Sequence, residues 1–487
     1  MLSKKLLSTF FNLVLLFSIA ICCANASQTT YSVEQLKSDF TELYTEIARS
    51  HFDLYAHLPK PDYDAAFQQY LHGIRAPMTE AQARIYFQRF VALGRVAHAK
   101  IDLPIQDFLT YRGNGGTMLP LFVHVREQGV FIDEVYAKEP RLQAGMQVTQ
   151  LDNRDMALWI DDMSALISAD NQRLANTLIE SQMPFLIWLL VGEKSQFSVT
   201  VESGEVSQTL KIEALTREQQ SALVQSASSE NDEPRTAKML DNGIAYLRPG
   251  PFYNIDDQTK DTWDSSHFTR FIDAAFDEFL TANAKALLID LRSNPGGTNS
   301  FSDHMLGWFA TRPFRFASSF EIKLSQAAID ANKIRLANSS GDDRTSRLLA
   351  ERYQQQKLGD VFSYEFPLTH PREGKRFTQP VFVLVDRYSY SNAVSVAAIV
   401  QDYGFATVLG EETADLATTY GAMEHFTLTH TAFEVGFPKA LIVRPNGDKK
   451  PSGVMPDWPI DAGSSVPQGD SMLEMALSRI AGELKGK

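Results

Sequence analysis

Apolar positions along the chain follow three successive patterns. From residue 31 to about 110 they recur three and four apart, in Val33 to Tyr44, Asp62 to Ile74 and Thr79 to Leu93, which predicts amphipathic helices. From Met118 to about Ile212 the spacing changes to short strands (Leu121–Val125, Val130–Ile132, Phe197–Val201, Gln208–Ile212), interrupted by a helical stretch over Trp159–Val191. Beyond Met239 the apolar runs become continuous and β-branched. Ala284–Arg292 and Val381–Val385 have the composition of strands buried on both faces of a parallel sheet. Between these regions, Ser221–Thr236 is polar and reads as a surface linker, and Lys323–Phe366 reads as a charged, mostly helical insertion, either a lid or a solvated excursion.

Each of the two buried runs ends in a polar elbow followed by a helical pattern. Val381–Val385 leads through Asp386–Ser391 into a helix that stops at Tyr403-Gly404, and Ala406–Leu409 then completes a strand–helix–strand unit. A serine at such a junction lies beside unpaired helix N–H groups and the positive end of the helix dipole, which suits a nucleophile and equally suits an ordinary helix cap. The other elbow, Ser293-Asn-Pro-Gly-Gly297, is strong turn chemistry, and its paired glycines also permit close backbone approach to a ligand. In one parallel sheet the two elbows would face each other across a cleft.

Composition and charge narrow the class. The formal charge of the 487 residues is −13, with the acids dispersed and no basic stripe, which argues against nucleic acid or an anionic membrane as partner. Residues 1–26 read as a secretory signal, with Lys4 and Lys5 at its start, an apolar stretch from Leu13 to Ile21 and a small-residue cleavage site at Ala24-Asn-Ala26. Both cysteines, Cys22 and Cys23, fall inside it, so a chain cleaved after Ala26 has neither disulfide nor thiol nucleophile. The residues before them suit a lipoprotein site poorly. No second long apolar segment is expected, and the product is expected to be exported, periplasmic or extracellular. The remaining length suggests about three domains at ~150 residues each. No metal-ligand spacing appears, Asp303 and His304 standing without partner ligands, and no cofactor is expected.

The residues quoted so far resemble the peptidase clan of carboxy-terminal (tail-specific) processing proteases and the tricorn core protease. Ile289–Gly297 (IDLRSNPGG) is similar to that clan's "DLR-N-GG" signature, Val385–Thr413 to its nucleophile segment and following "GE-T", and Gly453–Ile460 (GVMPDWPI) to its "GV-PD" strand. The resemblance implies an α/β fold with a crotonase-like catalytic core over 239–487, an N-terminal helical domain over 27–115 and a PDZ-like domain with a helical insertion over 116–215, joined by a linker at 216–238. It implies peptide-bond hydrolysis on a peptide or unfolded protein, with Ser391 as nucleophile and the backbone N–H groups of Asn392 and of Gly296 or Gly297 as oxyanion donors. His98 falls on the histidine of the "DGHT" motif, with Val96, Ala97 and Ala99 replacing its neighbours, and is the preferred general base. A PDZ-like domain implies either peptide capture or a scaffold without ligand.

The chain also departs from that pattern. Leu416 stands where the processing proteases have their lysine, and no lysine lies between Ser391 and Lys439. The glutamate expected before "GV-PD" and the one three residues after the nucleophile are absent, the latter position being Val394. A serine without a base is a poor nucleophile. His98 is the first candidate, His425 and His430 the others. Ser389→Ala and Ser395→Ala are expected to leave most of the peptide hydrolysis, and Lys439→Ala and Lys449→Ala to be nearly silent in activity. The expectation is therefore an exported serine-type endopeptidase; the alternative is a family member that has lost catalysis and binds a peptide or small ligand.

Overall fold

The computed structural model describes residues 29–227, 234–256, 261–338, 344–460 and 470–486. The expected export signal and both cysteines lie outside these residues, as do six residues of the expected linker. The fold is mixed α/β.

Its centre is a six-stranded sheet in the order Thr236–Met239, Ile244–Arg248, Ala286–Asp290, Val381–Val385, Thr407–Gly410, Trp458–Pro459. Only the first pairing is antiparallel. Residues alternate between two apolar layers, as the strand period of two requires. Ala245, Leu247, Leu287, Ile289, Val383 and Val385 face helices Ser266–Thr281, Asn299–Gly307 and Asn392–Tyr403. Ile244, Tyr246, Leu288, Phe382 and Leu384 face the C-terminal helix Ser471–Gly486 through Ala476 and Ile480. Burial on both sides explains why these strands read as unbroken apolar runs.

A second, antiparallel sheet carries Val361–Ser363, Ser319–Lys323, Glu434–Val443 and Thr419–Thr427. The expected 323–366 insertion thus begins and ends on strands that pair with each other, Glu321 opposite Ser363. It is no free excursion: from its helix Gln326–Asn338, Arg335 reaches Glu424 at 2.5 Å.

The N-terminal helical patterns form Val33–Ser50, Lys60–Gly73 and Glu80–Ala92. Ser32 and Thr79 start two of them as capping boxes, each closed by a glutamine three residues on. These helices share one apolar cluster with Val435 of the second sheet and with Leu428 and Phe433 in the turn before it. Strand Lys100–Ile101 extends that sheet, Lys100 opposite Gly436 and Ile101 opposite Val435. An N-terminal segment is thereby delivered to the far half of the chain.

Residues 118–215 form an antiparallel sheet of their own, closed by helices Met156–Ser164 and Gln172–Val191. By length and composition Gln172–Val191 is apolar enough to span a bilayer, contrary to the expectation that no such segment follows the signal. In the fold it is a core helix, with Ile179, Met183, Leu186 and Ile187 buried against the sheet. The expected linker is helical over Arg217–Ala227, where polar composition alone suggests a loop.

Candidate active site

The candidate site lies at the carboxyl ends of three adjacent parallel strands, where open α/β sheets bind ligands. Strand Ala286–Asp290 runs into the Gly296–Gly297 elbow, Val381–Val385 into Ser391, and Thr407–Gly410 toward Asp415.

Ser391 caps helix Asn392–Tyr403 with φ 52° and ψ −121°. Such a conformation costs a residue with a Cβ about 1–3 kcal/mol and persists only where its surroundings impose it. The surroundings are specific. Ser391 N–H donates to Asp415 Oδ2 at 2.6 Å, and Tyr390 N–H donates to the Asn294 carbonyl at 2.9 Å, tying one elbow to the other. Asp386, at the root of the serine elbow, accepts the N–H groups of Ser293 and Tyr388, each at 3.0 Å. Burial pushes the Asp386 carboxyl up to about 6. Ser389 is fully buried, its Oγ donating to the Leu291 carbonyl at 2.8 Å and accepting Asp386 N–H at 3.1 Å. This hydroxyl builds the elbow, so Ser389→Ala bears on stability, a separate matter from the hydrolysis it is expected to leave largely intact.

Gly296 packs against Ser391. A Cβ on it would stand 2.6 Å from the Tyr390 carbonyl oxygen and 2.8 Å from both Asn392 N and Ser391 Cβ. At Gly297 a Cβ would overlap the Phe252 carbonyl. Both glycines have positive φ, 85° and 136°. The two candidate donors on this elbow differ. Gly296 N–H is taken by Asn294 Oδ1 at 2.9 Å, whereas the N–H groups of Gly297 and Asn392 have no acceptor among the described residues. Asn392 N–H is free because the first turn of a helix leaves its donors unpaired.

His98 arrives from the N-terminal helices, held by the pairing of Lys100–Ile101 with the second sheet. Its ring stacks on Tyr390, the neighbour of Ser391, with centroids 5.9 Å apart and planes at 21°. It is buried, and its Nδ1 has no hydrogen-bond partner among the described residues. Burial pushes the imidazole below its ordinary value; the Asp415 charge and the Tyr420 backbone pull it back up, and Lys100 pushes it down. Burial likewise lifts the Asp415 carboxyl above the usual carboxylate range, opposed by His98 and by the N–H groups of Ser391 and Leu416.

Asp415 is the residue that sequence reasoning misses. It precedes Leu416, which fills the family's lysine position, and no spacing or periodicity marks it. A second carboxyl missed in sequence is Asp170, whose Oδ2 accepts Ala97 N–H at 3.1 Å; burial and then the Asp415 charge push it up to about 7. His425 and His430, the reserve candidates for a base, are both solvent-exposed, and His430 N–H is bound to Asp39 at 3.0 Å. Neither is drawn into the cleft. His304 bonds Asp273 at 2.7 Å, and among the described residues no group of three His, Cys, Asp or Glu is placed to hold a metal ion.

In fold the chain is similar to mature CPAF. The structure of that protein complexed with lactacystin superposes with a TM-score of 0.62 at 12% identity, covering 93% of this chain and 98% of that one. A second mature CPAF structure gives 0.60 at 13%, covering 92% and 96%. A photosystem II D1 C-terminal processing protease also matches, at 0.45 and 16%, covering 92% and 97%. No curated protein matches by sequence. The model of peptidase family S41 matches residues 244–460, the stretch that contains both elbows, Asp415 and the "GV-PD" strand. The chain thus carries a peptidase family S41 domain over residues 244–460 and is a serine-type peptidase.

Proposed function

We propose that the chain is an exported serine endopeptidase in which Ser391 attacks the scissile carbonyl and His98 is the base. The observation that carries this reading is the arrangement around Ser391: a strained serine at a helix N-terminus, its own N–H held by Asp415, with an imidazole stacked on the preceding residue. As Ser391 Oγ bonds to the carbonyl carbon its proton passes to the His98 imidazole, and the carbonyl oxygen becomes an oxyanion. The N–H groups of Asn392 and Gly297 are the donors left to meet that charge. Gly296, whose N–H is already used, contributes shape instead. Asp415 stabilises the imidazolium that forms, replacing the missing glutamate as orienting group. Collapse expels the amine, which takes the proton back from His98, and water then releases the acyl group by the same sequence.

The residues around the cleft are consistent with a crotonase-like core, and the sheet at 118–215 with a PDZ-like module. Substrates would be peptides or unfolded proteins, and export rests on the sequence of residues 1–26.

Fluorophosphonate labelling of the purified protein, with peptide mapping and a parallel assay on an unstructured peptide, tests the reading. The expected result is one adduct, on Ser391, and turnover that Ser391→Ala abolishes. Peptide binding without label or turnover would instead make the chain a binding protein on the same fold.

A further inference from the structure

Three separate segments must meet for this chemistry: Ala97–His98, the elbow at 386–391 and the stretch at 411–415. One element outside the central sheet grips all three, the start of helix Gln172–Val191 with the two residues before it. Asp170 accepts Ala97 N–H, next to His98. Asn171 donates from Nδ2 to the Ala414 carbonyl at 3.1 Å, next to Asp415, while its Oδ1 caps its own helix on Leu174 N–H at 2.8 Å. Arg173 donates to Glu411 Oε1 at 2.8 Å and to the Glu412 carbonyl at 3.0 Å.

Two turns further on, Glu180 is only 3% exposed. It accepts from Arg387 at 2.9 Å and from the Tyr388 hydroxyl at 2.5 Å, both in the serine elbow, and from Val125 N–H at 2.6 Å in its own sheet. Arg387 also donates to Glu411 at 3.0 Å. The chain of ion pairs Glu180–Arg387–Glu411–Arg173 therefore leaves the helix, crosses both catalytic segments and returns to the same helix.

The apolar face of this helix already anchors it in its own core, so the polar contacts are not needed to keep it folded. A buried carboxylate such as Glu180 is tolerated only where its partners are in place. Two of those partners, Arg387 and Tyr388, belong to the elbow, while Val125 and His124 belong to the helix's own sheet, so helix and elbow fix each other's position.

We infer that Asp170 and Glu180 are positioning residues for the peptidase reaction, Asp170 setting His98 and Glu180 setting Ser391. The inference rests on the Ser391–His98 reading above. The measurement is kcat and KM on an unstructured peptide, with active sites counted by fluorophosphonate titration and Tm recorded for each variant of the full chain. Asp170→Ala should lower kcat per titrated site by about tenfold to 10²-fold, the range of a small misplacement of reacting groups, with KM within about twofold. Asp170→Asn keeps an acceptor for Ala97 N–H and should restore most of the loss. Glu180→Gln should act in the same direction as Asp170→Ala, while Gln172→Ala, exposed on the same helix, should change nothing. Where Asp170→Ala does not fold, Arg173→Gln opens the ring of ion pairs that runs from Glu180 through the elbow and should show the same fall in kcat. If Tm falls in these variants while kcat per titrated site stays at the wild-type value, the helix only joins two parts of the molecule and the inference is overturned. The Ser391–His98 reading would survive that result, because wild type would still turn over and Ser391→Ala would not. A wild type that takes no label on Ser391 and cleaves no peptide would overturn both.

Discussion

The Asp415 carboxylate accepts the backbone N–H of Ser391 at 2.6 Å, so the acid beside the His98 imidazole also holds the backbone of the proposed nucleophile. Its other oxygen accepts Leu416 N–H at 2.9 Å. Both acceptors are needed, and an amide supplies only one. Asp415→Asn should therefore lower kcat by about 10²–10⁴-fold, the usual worth of general acid–base assistance, with little change in KM. Steady-state kinetics on a labelled peptide would check this, and an Asp415→Asn enzyme within threefold of wild type would remove Asp415 from the mechanism.

The two serines of the elbow and Ser395 in the helix that follows should separate by role. Ser391→Ala should lose turnover and label yet stay folded, and Ser391→Gly should be equally inactive but more stable than Ser391→Ala, by about 1 kcal/mol, because glycine accepts φ 52° without strain. Ser389→Ala should be destabilised by about 1–3 kcal/mol, since it leaves the buried Asp386 N–H without its acceptor and takes one of two donors from the Leu291 carbonyl. Ser395→Ala should be close to neutral. Chemical denaturation of all four gives the order; a Ser389→Ala as stable as wild type would mean the elbow does not depend on that hydroxyl.

How far the sequence carries differs between the sheet and the site. Val381–Val385 and Ala286–Asp290 are readable because burial on both faces leaves only apolar residues, and the elbows because their turns need Asn, Pro, Gly and Ser. His98 is visible only through its resemblance to a motif, since its position depends on a strand pairing with Gly436, more than 300 residues away. Asp415 and Asp170 leave no local trace at all. A single acid in a loop has no period, and what brings these two to the candidate site is convergence from distant segments. The glutamate missing near Gly453 reads in sequence as a defect, whereas the fold brings a carboxylate to the same imidazole from elsewhere.

Gly296→Ala should inactivate by geometry. The added methyl would meet the Tyr390 carbonyl oxygen at 2.6 Å and Asn392 N at 2.8 Å, and backbone cannot step aside as a side chain can. The elbows must separate by a few tenths of an ångström or more, which moves Ser391 relative to its donors. Loss of label at Ser391 in a protein that still melts cooperatively is the expected outcome, and normal labelling kinetics would show that the elbows tolerate separation.

Lys439 is expected from sequence to be dispensable for activity, and the structure adds a role in stability. It is buried, and its Nζ donates to Glu424 Oε1 at 2.5 Å while Arg335 holds the other carboxylate oxygen. Lys439→Ala leaves Glu424 half-compensated in the interior, so destabilisation toward the low end of about 3–5 kcal/mol is expected, without change in kcat per titrated site. Lys449, exposed in a turn, should remain silent. Urea melts of the two variants decide it, equal midpoints being the adverse result.

The pH profile is the sharpest test of the base. Sequence alone suggests an acid limb with an apparent pKa of ~6–7, the ordinary range of histidine. Burial lowers the His98 value, more than Asp415 and the Tyr420 backbone restore, so the imidazole should stay neutral and able to accept a proton at pH values where an exposed histidine is charged. The acid limb of kcat/KM should then fall below 6.5 and vanish in His98→Ala, together with several orders of magnitude of kcat. Stability carries two opposing signs. A depressed His98 means the unfolded chain binds more protons, so this group's contribution is present above its unfolded value and is lost as pH falls below it. Asp170, raised from 3.8 to about 7 by burial and the charge of Asp415, behaves in reverse: its contribution is full below 3.8 and is lost as pH rises through 7. The Ala97 N–H, which pulls Asp170 the other way, and the phenols of Tyr390 and Tyr420 beside it remain in Asp170→Asn. That variant should therefore lose the decline in Tm between pH 4 and 7 that Asp170 contributes, and keep the acid limb of activity that belongs to His98. Should the acid limb disappear with Asp170→Asn and persist in His98→Ala, the base is the carboxylate and not the imidazole.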